Sequence, residues 1–185
     1  CFASWPIGFN HPAMKEPAFE AALLRAAQSN IANADLYTSE MAEFVRAFAT
    51  NVTPDGFPHH FWVAGGGLAV ENAMKTAFDW KARKLGRTDY LADCNDLTIV
   101  HFSQAFHGRT GYTMSCTNTL PDKVGLFPRF PWPRIHNPVC QFDVNGNVCN
   151  DIEAEEAKAY AQLDKAFAES ANRIAGILID PMQDE

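Results

Sequence analysis

Two short, almost unbroken apolar runs, Leu97-Thr-Ile-Val-His-Phe102 and Ile174-Ala-Gly-Ile-Leu-Ile179, constrain this chain most. Each is apolar enough to lie inside a sheet. Before the second run, residues 150 to about 171 spell a helix. Its first turn carries Glu153, Glu155 and Glu156, as the helix dipole favours, and Asn150-Asp-Ile-Glu153 resembles a capping box. Strand, loop, helix and strand in that order imply a crossover unit. The expected fold class is therefore α/β, a mainly parallel sheet covered by helices.

The rest of the chain fits this plan. Val70, Ala73, Met74, Ala77 and Phe78 repeat at three and four residues, so Leu68–Leu85 reads as an amphipathic helix closed by Gly86. His60-Phe-Trp-Val-Ala64 before it reads as a short strand, joined through Gly65-Gly-Gly67. Lys15–Gln28 is alanine-rich and helix-prone, and Thr38 or Ser39 caps a second helix running to about Ala49. Residues 1–13 read as irregular, and 119–149, with five prolines, as a long ordered loop.

Composition narrows the class. At 185 residues, with 47% apolar and 20% charged, the chain suits one globular domain and excludes a disordered one. Net charge is 15 − 22 = −7 without a basic cluster, which argues against duplex nucleic acid. No apolar stretch approaches the ~18 residues of a membrane helix, and the N-terminus lacks a signal-peptide pattern. The cysteines (1, 94, 116, 140 and 149) are odd in number and form no C-x-x-C, so a reducing cytoplasm is expected. The chain starts at Cys and stops soon after an apolar run, so a fragment of a longer enzyme is expected.

In parallel sheets ligands bind at the carboxyl ends of strands. That directs attention to Gly65–Gly67, Ser103–Arg109 and Asp180–Glu185. The glycines suit a phosphate at a helix N-terminus as well as they suit a bare tight turn. No Gly-Lys-Ser/Thr follows, and the third glycine of a dinucleotide fingerprint is missing. Phe106 could cover a planar cofactor and Arg109 could fork onto a carboxylate. Taken alone, a core anchor and a surface ion pair explain them better. His107 completes no triad and reads as structural. Cys116 reads as a small core residue. His59, His60 and His101 lack metal-like spacing, so no metal site is expected. Asp180, Asp184 and Glu185 read equally as a cation-receiving group or as solvated charge.

In combination these segments are specific. Phe61–Lys81, with Ala64-Gly-Gly-Gly-Leu-Ala-Val-Glu-Asn72, resembles the phosphate-binding strand–turn–helix of class III pyridoxal-phosphate aminotransferases. Ala105-Phe-His-Gly-Arg-Thr-Gly-Tyr112 resembles their cofactor-stacking loop, and Asp180-Pro-Met-Gln-Asp-Glu185 their Glu-Pro-Ile-Gln-Gly-Glu motif. Phe78-Asp-Trp-Lys81, Phe127–Ile135, Phe2-Ala-Ser and Asn33–Thr38 look like the lysine 6-aminotransferase group of that family.

The resemblance implies a fold-type-I large domain, partial, in a homodimeric enzyme using pyridoxal 5'-phosphate. It implies transfer of the ε-amino group of L-lysine to 2-oxoglutarate, giving 2-aminoadipate 6-semialdehyde and glutamate. It sets residues 1–50 as an N-terminal segment and helices, and 51–185 as the first half of the large domain. By position, Gly66 and Gly67 would hold the cofactor phosphate, and Phe106 would stack on its ring. Arg109 and Glu185 would bind substrate, Glu185 as a gate. His107, Asp180 and Gln183 would support the site from behind. Asp180 stands where the family usually has Glu, and Asp184 where it usually has Gly. The Schiff-base lysine and the aspartate facing the pyridine nitrogen are expected beyond residue 185; no catalytic residue is assigned within the chain. Two other readings are an aminotransferase for ornithine or 4-aminobutyrate, and a non-catalytic fragment or interaction module.

Overall fold

The computed structural model describes residues 7–29, 36–89, 91, 93–170 and 172–180. The expectations placed on Phe2-Ala-Ser, on Asn33–Asp35 and on Gln183, Asp184 and Glu185 lie outside the described residues. The chain divides into two compact units, residues 1–61 and 62–185.

In the first unit the helix expected from Lys15 begins later. A 3-10 turn covers Pro12–Lys15, Glu16 is extended (ψ 132°), and α1 runs Pro17–Gln28. The cause is Pro17, whose ring disfavours helical backbone in the residue before it. Helix α2 (Ser39–Asn51) starts where Thr38 Oγ1 accepts the Met41 amide at 3.1 Å. His60 Nε2 lies 2.8 Å from Thr53 Oγ1, and its ring meets Phe48 edge-on at 6.0 Å. The strand expected at His60–Ala64 does not form: this segment makes no ladder among the described residues. An extended run becomes a strand only when a neighbour takes up its amides and carbonyls.

The second unit holds the sheet. Strands β1 (Thr98–Phe102), β2 (Arg134–Ile135) and β3 (Ile174–Leu178) run parallel in the order β2-β1-β3. Strand β2 is a correction to the long loop read at 119–149: the segment turns back to pair His101 with Arg134 and Phe102 with Ile135. Two residues carry no readable periodicity.

Helix α3 (Gly66–Lys84) packs Val70, Met74, Ala77 and Phe78 against Ile99, Trp132 and Ala175 on one face of the sheet. Helix α5 (Ile152–Ser170) packs Leu163 and Ala166 against Val100, Ile135 and Ile174 on the other. Consecutive residues Ile99 and Val100 thus serve opposite layers, as strand geometry requires. The cap of α5 is Asp151, one residue later than the expected box; its Oδ1 accepts the Ala154 amide at 3.0 Å. Asn150 instead ties down the preceding ribbon, accepting from Gln141 N and donating to Val139 O.

Candidate functional site

Because β1 and β3 are parallel neighbours, their carboxyl ends open at one edge of the sheet. Helix α3 starts at the same edge. A cavity of about 390 Å³ lies there, lined by Gly66, Gly67, Val70, Phe106, His107, Gly108, Leu178, Ile179 and Asp180. The fold therefore brings together Gly66, Gly67, Phe106, His107 and Asp180. Arg109 is exposed and stands outside the lining.

One wall is the start of α3. Gly65 has φ +102°, a backbone region L side chains avoid, and no side chain caps the helix. The first-turn amides of α3 are thus left without an intrahelical or capping acceptor, and the dipole adds positive potential. A Cβ on Gly66 would meet nothing within 4 Å, so the turn faces open space.

The opposite wall is the loop after β1, held from several directions. Asn137 Oδ1 accepts from Ser103 Oγ at 2.9 Å and from the Gln104 amide at 2.6 Å, while its Nδ2 donates to Gln104 O. Thr117 Oγ1 accepts the His107 amide at 2.9 Å and donates to Gly108 O at 2.7 Å. Asn118 donates its amide to Ala105 O at 2.8 Å. Beyond Arg109, Thr110 opens α4 (Gly111–Cys116), a short helix not foreseen from the sequence. Glu71 of α3 accepts from the Thr110 hydroxyl and, at 3.2 Å, from the Tyr112 amide.

The two walls touch through bare backbone. A Cβ on Gly108 (φ +121°) would sit 2.8 Å from Gly67 Cα and 2.9 Å from Thr113 Oγ1. Against these walls Phe106 is 42% exposed. His107 is buried, and its Nε2 has no hydrogen-bond partner among the described residues. Burial holds its pKa below the usual histidine range, partly opposed by the charge of Asp180 at the end of β3. The imidazole is therefore neutral near pH 7.

Away from the cavity, His101 and Cys116 are core residues. Burial pushes His101 down to about 4 and the Cys116 thiol up to about 12. Arg134 donates to Ser115 O and Thr117 O beneath the loop, at 3.2 and 3.3 Å.

Three comparisons place this geometry. The family model described as Aminotransferase class-III matches residues 1–185. The chain belongs to the class-III aminotransferase family. It is 43% identical over 185 residues to the L-lysine-epsilon aminotransferase of Amycolatopsis lactamdurans, and 44% to that of Streptomyces clavuligerus. A solved lysine aminotransferase from M. tuberculosis superposes with a TM-score of 0.81 at 40% identity, over 96% of this chain. In each case the chain spans about 40% of the relative's length. The layered parallel sheet is thus part of a fold-type-I transferase domain, as the family resemblance implied.

Sequence reading of this family member missed Glu71, Gly108, Thr110, Thr117 and Asn137. Glu71 sits four residues before Lys75 and reads as solvated charge. Gly108 in Phe106-His-Gly-Arg109 was the one available signal, since a glycine inside a dense motif often marks close backbone approach.

Proposed function

We propose that the cavity at the carboxyl edge of the sheet is a pyridoxal 5'-phosphate site. On that reading the protein moves the ε-amino group of L-lysine to 2-oxoglutarate. The observation that carries the site is the meeting of the α3 turn, the Phe106 ring and Asp180 around one cavity of about 390 Å³. The likeness to lysine-epsilon aminotransferases supports the substrates.

The residues present fit the cofactor. Gly66 leaves a cradle that no Cβ fills, and the uncapped α3 amides suit a phosphate dianion. Phe106 offers an exposed aromatic face. The orphaned Nε2 of His107 supplies a buried polar contact awaiting a partner. When bound, the cofactor supplies an aldehyde that takes up amines and a ring that accepts electrons.

In this reading Gly66 and Gly67 hold the phosphate through backbone N–H groups, and Phe106 covers the ring. Arg109, outside the lining, pairs with the α-carboxylate of lysine or a carboxylate of 2-oxoglutarate. That leaves the ε-amine to reach inward. Asp180 and His107 support the floor, and Gln183 and Glu185, which lie outside the described residues, keep the supporting and gating roles that the family resemblance implies. The partner is a second copy of the protein. The free thiols Cys94, Cys116, Cys140 and Cys149 suit a reducing cytoplasm. Among the described residues no helix is long and apolar enough to cross a membrane.

The test, on the full-length protein, is glutamate formation from 2-oxoglutarate with L-lysine, L-ornithine and 4-aminobutyrate as donors, with added pyridoxal 5'-phosphate. Lysine is expected to lead. Replacing Arg109 with Ala should raise KM for lysine and 2-oxoglutarate at least tenfold, about 1.4 kcal/mol. Equal rates with all donors would overturn the substrate assignment, and unchanged KM values the role of Arg109.

A further inference from the structure

The two walls of the cavity come from distant parts of the chain, yet one side chain joins them. Glu71 lies one helical turn beyond Gly67 on α3. Its Oε2 accepts hydrogen bonds from the Thr110 hydroxyl and, at 3.2 Å, from the Tyr112 amide. Both donors lie within three residues of Arg109.

The hydroxyl of Thr110 is spent on Glu71, so the 2.8 Å contact between Thr110 and Thr113 must be donated by Thr113. Thr113 Oγ1 in turn accepts the Thr110 amide at 3.0 Å. Donors and acceptors thus run in a defined order from α4 to a carboxylate on α3. On the same line Gly67 and Gly108 approach through their α-carbons, with no side chain between them to act as a spacer. The gap between the turn and the loop is therefore set by the Glu71 link and the glycine contact together. Without Glu71, two partly buried donors lose their acceptor, and the loop is free to move off the turn.

We infer that Glu71 is a positioning residue: it fixes Phe106 and Arg109 in register with the Gly66–Gly67 turn and so sets the spacing of the cofactor cradle. This rests on the reading of the cavity as a pyridoxal 5'-phosphate site. Glu71 works through the loop and touches no ligand. One oxygen accepts both bonds, so a glutamine can replace it.

The experiment measures pyridoxal 5'-phosphate affinity of the whole protein by equilibrium dialysis, with the absorption band of the bound cofactor as a second readout. Glu71→Ala and Thr110→Val are expected to weaken binding by about tenfold or more. Glu71→Gln and Thr110→Ser, which keep the acceptor and the hydroxyl, are expected to stay within about threefold of wild type. The losses from Glu71→Ala and Phe106→Ala should not multiply, because the first acts through the second. Thr110→Val is nearly isosteric and carries the test should Glu71→Ala not fold. Wild-type affinity in Glu71→Ala or Thr110→Val overturns the inference, as do fully multiplicative losses in the double variant. A wild-type protein that binds no pyridoxal 5'-phosphate overturns the cavity reading itself, and the inference with it.

Discussion

At Gly108 a single methyl group would collide with two things at once. Its Cβ would lie 2.8 Å from Gly67 Cα and 2.9 Å from Thr113 Oγ1, and φ of +121° already disfavours any L side chain. Neither neighbour is the far end of a flexible chain, so the loop or the turn must move. Gly108→Ala is expected to cost about 1–3 kcal/mol, read by thermal or denaturant unfolding, and to weaken pyridoxal 5'-phosphate binding as well. Gly66→Ala makes the control: nothing lies within 4 Å of its Cβ, so stability should change little. Equal losses at the two positions would show that backbone contact does not set the cavity's shape.

Strand β1 carries His101, 1% exposed, in the middle of the sheet. Burial lowers its pKa from 6.5 to about 4, so the folded state binds fewer protons than the unfolded chain between those values. Its contribution to stability is complete above pH 6.5 and is lost as pH falls towards 4. The slope approaches about 1.4 kcal/mol per pH unit. Denaturant titrations across that window should show the decline, and His101→Leu should flatten it; an unchanged slope would assign the acid sensitivity elsewhere. The elements themselves were legible to different degrees. Helices α2, α3 and α5 and strands β1 and β3 follow from periodicity and caps in their own residues. Strand β2 and α4 are too short to show a period. The run His60–Ala64 has strand composition but no neighbour to ladder with among the described residues. The site divides the same way. Gly66, Gly67, Phe106, His107 and Asp180, which the family resemblance names, line the cavity. Glu71, Thr117 and Asn137 act across 10 to 41 residues of sequence, where spacing carries no signal.

Across the whole chain, β3 has β1 on one side, and its other edge is unpaired among the described residues. Ile177 is 47% and Ile179 60% exposed beside that edge. An open, apolar edge strand is a template for further pairing. Expressed as residues 1–185 alone, the chain should associate with rising concentration in sedimentation, and Ile177→Lys should reduce this. A monodisperse monomer would show the edge to be harmless. One last consequence concerns how such a protein can diversify. Where the two walls touch, glycine meets glycine, so at that point there is no side chain that mutation can trim or extend. Variation in the molecules accepted must therefore arise elsewhere, at lining side chains such as Phe106, His107 and Asp180 or outside the lining at Arg109.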